Sequence, residues 1–165
     1  MTSSVHISPC LWFDNEAEEA AAFYSGIFPN SRIRSVSHYP KEGFEIHGRP
    51  EGSVLTVAFE LNGQPFTALN GGPVFMFNEA VSLQIFCQMQ AEIDHYWAHL
   101  TAGGDIQAQQ CGWLKDRYGV SWQVVPSKLA AMMTSPEAAP RERLMKALLQ
   151  MKKLDIAALD QAFAD

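Results

Sequence analysis

The sequence predicts an α+β fold made of two similar halves followed by a helical tail. Apolar residues recur at positions i, i+3, i+4 and i+7 twice, from Ala20 to Ile27 and from Ile93 to Leu100. This spacing is typical of a helix with one buried face. Segments that alternate between apolar and polar residues, as strands do, stand on both sides of each predicted helix. Each half therefore has the order strand, helix, three strands.

In the first half, four strands surround the predicted helix. Pro9 lacks a backbone donor and favours a sheet edge or a bulge for the first strand. Asp14 or Asn15 is expected to cap the helix. Asn62-Gly63 is the strongest short hairpin signal and predicts that the last two strands are adjacent. The predicted strands are residues 7–13, 33–39, 54–61 and 64–69.

The second half repeats this order, and its helix is expected to end at Gly103-Gly104. Its predicted strands are residues 81–87, 105–110, 112–115 and 121–125. We therefore assign module one to residues 5–70 and module two to residues 80–126, both within one domain over residues 1–126.

Residues 127–165 are helical in character and form the tail. Ser135-Pro136 predicts a helix start, and Asp155 is expected to cap a last short helix. The apolar face that the tail presents must be covered by this domain or by a second copy, which favours a homodimer. That face consists of Leu144, Leu148 and Met151.

Composition narrows the classes of function. A net charge of −6 and a pI near 5.3 argue against nucleic-acid binding, because phosphate binding needs a clustered basic surface. No apolar stretch approaches the length of a membrane span, and the amino terminus lacks the pattern of a signal peptide. The 3 cysteines are widely separated. We expect reduced thiols and a cytoplasmic location.

Several motifs spread along the chain resemble the PhnB-like branch of the vicinal oxygen chelate superfamily. That superfamily includes glyoxalase I, extradiol dioxygenases, and fosfomycin- and bleomycin-resistance proteins. The resemblance implies that the two modules form a curled mixed sheet of the glyoxalase/bleomycin-resistance type. The motifs are Leu11-Trp12-Phe13-Asp14, Phe28-Pro29-Asn30-Ser31, Leu69-Asn70-Gly71-Gly72-Pro73, Cys111-Gly112-Trp113-Leu114-Lys115-Asp116, Ser121-Trp122-Gln123-Val124 and Met151-Lys152-Lys153-Leu154-Asp155-Ile156.

This branch often carries the label 3-demethylubiquinone-9 3-methyltransferase. A methyl transfer from S-adenosylmethionine typically uses a glycine-rich turn between a strand and a helix of a doubly wound sheet. Gly71-Gly72 and Gly103-Gly104 stand at a turn and at a helix end instead. The residues therefore do not favour the label.

The resemblance also implies a divalent metal held by the first and last strands of each half. Gln123 stands where the family has a metal-binding Glu, and Ser82 stands about where it has a His. Ile7 stands at the matching ligand position of the first strand. His6 lies one residue from that position and would need a bulge at Pro9 to face the metal. Neutral oxygens bind such metals less well than His or carboxylate. We therefore expect no cofactor and no conventional metal centre, with Gln123, Ser82 and His6 as the remaining metal candidates.

The concave face instead predicts a small-ligand pocket, because aromatic side chains with a few amides are typical of such sites. Strand alternation turns Trp113, Gln123, Ser82 and Gln84 to this face. Leu11 is expected on the same face as Ile7, because the two are four residues apart in one strand. The alternative is that these side chains fill a second core. The candidates are Trp113, Gln123, Ser82, Gln84, Asn70, Cys111, Phe75, Phe77 and Leu11.

Three functions remain open at this stage. The first is a protein that binds a small molecule without a metal. The second is a metal-dependent enzyme of the glyoxalase or dioxygenase type, and the third is an interaction protein whose tail docks on a partner. The sequence identifies neither a catalytic residue nor the ligand.

Overall fold

A computed structural model describes residues 5–165 and separates the chain into two compact units. The first unit ends at Met76, and the second comprises Phe77–Asp165. Each unit contains its own small mixed sheet with a helix between its first strand and the next. The α+β class predicted from the sequence is confirmed.

The first unit contains a four-stranded sheet in the order β1-β4-β3-β2. β1 runs parallel to β4, and the other two pairings are antiparallel. The first strand lies at a sheet edge, as Pro9 predicts. The elements are β1 (Cys10–Phe13), α1 (Ala17–Ile27), β2 (Arg32–His38), α2 (Phe44–His47), β3 (Val54–Leu61) and β4 (Gln64–Asn70).

Alternation along β3 builds the core of the first unit. Val57 and Phe59 are 0% and 1% exposed, and the ring of Phe59 stacks on that of the α1 residue Tyr24 at a centroid distance of 6.4 Å. The turn from β3 to β4 has positive φ at Asn62 (47°) and at Gly63 (80°). Two such residues in succession define the tight hairpin turn that Asn-Gly predicts.

Asn70 links three parts of the first unit. Its Oδ1 accepts a hydrogen bond from the backbone N–H of Ala17 (2.8 Å), and its Nδ2 donates to the carbonyl of Val54 (3.1 Å). The Tyr39 hydroxyl donates to the Asn70 carbonyl (2.6 Å). The first turn of α1 is thus satisfied by a residue distant in sequence.

The helix cap predicted at Asp14 or Asn15 is therefore wrong. α1 begins after Glu16, whose side chain makes no capping hydrogen bond. Asn70 supplies the acceptor that a helix start requires. A cap of this kind comes from tertiary structure, so the local sequence carries no signal for it.

The second unit contains a three-stranded sheet in the order β5-β7-β6, with β5 parallel and β6 antiparallel to β7. The predicted strand at residues 105–110 is wrong, because a 3₁₀ turn occupies Ile106–Ala108. The side chain of Asp105 accepts a hydrogen bond from the Gln107 N–H (2.8 Å) and so competes with strand pairing. The elements of this part are β5 (Leu83–Cys87), α3 (Gln90–Thr101), β6 (Trp113–Lys115) and β7 (Ser121–Pro126).

The tail belongs to the second unit and packs against β7 of that unit. Leu144, Leu154 and Leu159 are 0%, 0% and 1% exposed and form one cluster with Val125 of β7. The three helices are α4 (Leu129–Met133), α5 (Ala138–Leu148) and α6 (Ile156–Ala164). The apolar face of the tail is thus covered within the chain.

The two predicted helix caps of the tail have different outcomes. Asp155 accepts a hydrogen bond from the Ala158 N–H (2.9 Å), which confirms the cap of α6. α5 begins after Glu137, so the start predicted at Ser135-Pro136 is wrong by a few residues. Along residues 5–165, no helix has both the length and the apolar character needed to cross a membrane.

We expect Asn70→Ala to lower the free energy of unfolding by about 2–3 kcal/mol, because one buried and one partly buried hydrogen-bond partner lose their bonds to its side chain. Urea denaturation followed by circular dichroism measures this loss. Asn78→Ala is the matched control, since Asn78 is exposed and its loss should cost under about 0.5 kcal/mol. Equal effects of the two substitutions would contradict the role of Asn70.

Candidate functional site

One side of the second sheet packs on apolar side chains, and the other carries polar groups. Leu114, Trp122 and Val124 are at most 2% exposed and face the packed side. Their strand neighbours point the opposite way, because side chains alternate across a strand. We call this second side the open face. It carries Ser82, Gln84, Phe86, Trp113, Lys115, Ser121 and Gln123, and Val125 at its end is covered by the tail.

At the centre of the open face is a network of neutral hydrogen-bonding groups. Gln123 Nε2 donates to Ser82 Oγ (2.8 Å), and Gln84 Nε2 donates to Gln123 Oε1 (3.3 Å). The register places Trp113 directly opposite Gln123 on β6, and both side chains are half-buried. The structure thus brings four of the residues chosen from the sequence together.

The same face carries a cation that the sequence reasoning missed. Lys115 lies opposite Ser121 in the sheet and forms an ion pair with Glu79. The hydrogen bond from Lys115 holds the pKa of the Glu79 carboxyl below its usual value. Alternation along β6 could have revealed Lys115, because it stands two residues after Trp113 and shares its side of the strand.

Ser121 is the most enclosed polar group of the open face. Its residue is 2% exposed, and its Oγ has no hydrogen-bond partner among residues 5–165. A buried hydroxyl without a partner costs free energy. The group is therefore a donor and acceptor that the described residues leave unused.

The residues of the first unit need a different interpretation from the one that the sequence suggested. Leu11 pairs with Ala68 and is 8% exposed, so it lies on the buried face of the sheet and not on a pocket face. The strand begins at Cys10, and alternation turns Trp12 to the other side. Asn70 uses both atoms of its amide to hold the fold.

Trp12 is an aromatic residue that the sequence reasoning missed. Its indole N–H donates to the Gly72 carbonyl (2.8 Å), and Phe75 packs edge-on against its ring at 4.9 Å. A Cβ at Gly71 would lie 2.0 Å from the ring, so only glycine fits there. Phe75 remains 62% exposed.

Two further candidates belong to the second unit. Phe77 is half-buried. Cys111 has a left-handed backbone (φ 52°), and its N–H donates to the carbonyl of Met151 (2.8 Å). The amide of Gln110 donates to its sulfur at 3.4 Å. Cys111 therefore helps to attach the tail to the hairpin of β6 and β7.

A divalent metal of the type that the fold family implies does not fit the donor set on the open face. Ser82 and Gln123 are neutral, the Gln123 oxygen accepts from Gln84, and the Ser82 oxygen accepts from Gln123. No group of three His, Cys, Asp or Glu side chains in the described part of the chain is arranged to hold an ion. His6 is exposed and precedes β1.

The fold and its motifs can now be compared with known proteins. The family model described as 3-demethylubiquinone-9 3-methyltransferase matches residues 5–125. The PhnB protein from Bacillus cereus, which carries the same description, is 36% identical, with 74% of this chain and 99% of that chain covered and a TM-score of 0.64. A search of the curated proteins found no match.

Two more distant structures share the fold alone. A protein from Pseudomonas aeruginosa is 19% identical, with 73% of this chain and 96% of that chain covered and a TM-score of 0.55. The fosfomycin resistance protein FosX from Listeria monocytogenes is 16% identical, with 82% and 100% covered and a TM-score of 0.51.

The fold is that of the vicinal oxygen chelate superfamily. Within it, the chain belongs to the PhnB-like family, whose model is described as 3-demethylubiquinone-9 3-methyltransferase. The resemblance found in the sequence is confirmed. The description belongs to the family, and the activity of this chain is a separate question.

The three thiols should differ in reactivity. Burial and the nearby charge of Glu92 raise the pKa of Cys87 to about 11, so its reactive thiolate is scarce at pH 8 and becomes abundant only as the pH approaches 11. We expect native protein at pH 8 to react with an aromatic disulfide reagent at Cys10 and Cys111 only. Burial also raises the pKa of Cys10 and should slow its reaction.

Counting released thiolate by absorbance tests this expectation, with denatured protein as the reference for 3 thiols. The variant Cys87→Ser should give the same native count as the wild type and one thiol fewer after denaturation. A fall in the native count would show that Cys87 is accessible.

Proposed function

We propose that the chain binds a small organic molecule on the open face of its second unit and does so without a conventional metal centre. The observation that carries the proposal is the hydrogen-bonded group of Ser82, Gln123 and Gln84 beside Trp113. Aromatic side chains beside a few polar groups are the usual composition of a small-ligand site.

The chemistry of these residues favours binding over a reaction. Amide and hydroxyl groups donate and accept hydrogen bonds but do not ionise near neutral pH. General acid–base catalysis uses a group that gains and loses a proton in that range. The ligand that suits this surface has an apolar ring for Trp113 and a hydrogen-bonding group for Gln123 and Ser82.

A metal-dependent enzyme of the glyoxalase or dioxygenase type is the second candidate. It is favoured by one observation, which is that Ser82 and Gln123 are hydrogen-bonded neighbours at the positions where the resemblance implies ligands. It would require an ion held by neutral oxygens, which is weaker than binding by His or carboxylate.

The methyltransferase activity in the family description is not part of the proposal. The two sheets have four and three strands and are mixed, unlike a doubly wound parallel sheet. Gly71 lies against the Trp12 ring, and Gly103 (φ 79°) follows the end of α3. Neither is a glycine of a phosphate- or nucleoside-binding turn.

We also propose a cytoplasmic location. Its support is chemical: Cys10, Cys87 and Cys111 are all free thiols. Free thiols persist in reducing compartments, whereas secreted domains usually pair them.

We further propose that the chain forms a homodimer. The support comes from large apolar side chains that are mostly exposed, because a second copy would cover them. The tail no longer argues for this, since its apolar face is covered within the chain. The exposed residues are Val74, Phe75 and Met76 in the first unit, and Val81 and Phe86 in the second.

Sedimentation velocity checks the dimer. Met76→Ser combined with Val81→Ser should shift the protein toward the monomer, because these side chains are 90% and 75% exposed. Met145→Ser, which changes a 37% exposed residue of α5, is the control and should leave the mass unchanged. A wild type that sediments as a monomer at all concentrations would refute the proposal.

We expect 3-phenylpropionamide, a ring joined to an amide by two methylenes, to bind the wild type and quench tryptophan fluorescence. Gln123→Ala should weaken this binding roughly tenfold, because the ligand loses a hydrogen bond to Gln123 and the side chains of Ser82 and Gln84 lose the partner that orients them. Thr67→Ala, on the sheet of the first unit, serves as the control and should leave the affinity unchanged.

The same preparations separate the two candidate functions. Binding should be equal before and after treatment with a chelator, and elemental analysis should find less than one divalent ion per chain. A stoichiometric metal that is lost in Gln123→Ala would favour the metal-dependent enzyme instead. Absence of binding by both this amide and its parent acid, 3-phenylpropionate, would contradict the proposed site.

A further inference from the structure

We propose that the ligand carries a carboxylate and that Lys115 binds this carboxylate after its ion pair with Glu79 has opened. This inference rests on the proposed function, because it concerns the same open face. It identifies the ligand class as an aromatic or apolar carboxylic acid. Lys115 is the residue that selects for it.

The register of the second sheet arranges the open face in two rows. Lys115 lies opposite Ser121 on β6. The pairing of β5 with β7 begins at Leu83 and Trp122, so Ser82, one residue earlier, lies beside Ser121 on the other side. The second row contains Trp113, Gln123 and Gln84. The first row carries an ammonium and two hydroxyls, whereas the second carries a ring and two amides.

The spacing of the rows suits one ligand that spans both. Side chains directly opposite each other have Cβ atoms about 5 Å apart. Successive residues on one side of a strand are about 7 Å apart. An acid whose ring rests on the Trp113 row can therefore place its carboxylate at the Lys115 row across a spacer of two methylenes.

The ion pair of Lys115 is asymmetric in exposure. The side chain of Lys115 is only 24% exposed, whereas that of Glu79 is 61% exposed. Glu79 lies in a turn before β5. An exposed carboxylate held by one ion pair and by a hydrogen bond from its own backbone contributes little to stability, so a ligand can take its place at small cost.

The ion pair between Lys115 and Glu79 indicates that this position suits an anion. The hydrogen bond from the ammonium lowers the pKa of the Glu79 carboxyl, and the charge of Lys115 adds to the effect. A ligand carboxylate in the same place would be stabilised in its ionised form for the same reason.

The buried hydroxyl of Ser121 gives an independent indication. Its Oγ has no hydrogen-bond partner in the described part of the chain, although the residue is 2% exposed. It lies in the row between Lys115 and Ser82. A carboxylate oxygen at this row would accept its O–H and supply the missing partner.

Two other lysine ion pairs of the second unit differ from this one. Lys128 pairs with Asp160, and Lys153 pairs with Asp94; in both, each side chain is 44–48% exposed. Neither lysine lies on the open face. They provide matched controls for the removal of an acidic partner.

The test compares 3-phenylpropionate with 3-phenylpropionamide, which differ in charge and hardly in shape, by fluorescence titration of the full chain. The wild type should bind the acid more tightly than the amide, and the difference should shrink with added potassium chloride. Glu79→Gln should raise the acid-to-amide affinity ratio about threefold, because the internal competitor is gone. Lys115→Met should abolish the preference.

Asp160→Asn frees Lys128 in the same way and should leave the ratio unchanged. An amide that binds as tightly as the acid, or a ratio unaffected by Glu79→Gln, would overturn the carboxylate inference and leave the proposed site intact. Failure of both probes to bind would overturn the proposed function itself. If Lys115→Met does not fold, as judged by circular dichroism, the Glu79→Gln result decides alone.

Discussion

The alternation of side chains along β7 is the constraint on which the second unit depends. β7 is the central strand of its sheet, so its pairing with β5 and β6 fixes the position of every residue beside it. Trp122 and Val124 point into the core, while Ser121 and Gln123 point the other way. A shift by one residue would bury the amide and expose the tryptophan. Stability and the candidate site therefore require the same register.

The sequence predicts much of the fold because most of its signals are local. Helical spacing and the Asn62-Gly63 turn depend only on nearby residues, and both are confirmed. The failures involve interactions between distant segments or competition within a turn. Asn70 caps α1 from another strand, and Asp105 bonds to the Gln107 N–H and turns a predicted strand into a 3₁₀ turn.

The candidate site, like the fold, was predictable where its signals are local and not where they depend on tertiary packing. Ser82, Gln84 and Gln123 were found because alternation along single strands places them on one side. Leu11 lies on the buried side instead, because alternation along one strand does not show which of its two sides packs on the core. Family membership explains the shape of the sheets, but function must be argued from the side chains that they carry.

The attachment of the tail has a consequence for how the chain tolerates changes in length. The N–H groups of Cys111 and Gly112 donate to the carbonyls of Met151 and Lys152 at 2.8 and 2.7 Å. A Cβ at Gly112 would lie 2.9 Å from the Val124 carbonyl oxygen and 3.1 Å from the Leu154 side chain, so the backbone at Gly112 is tightly packed and cannot shift. Insertions are therefore best accommodated in the connection between α4 and α5. One added residue at 151–152 would displace the backbone next to Trp113.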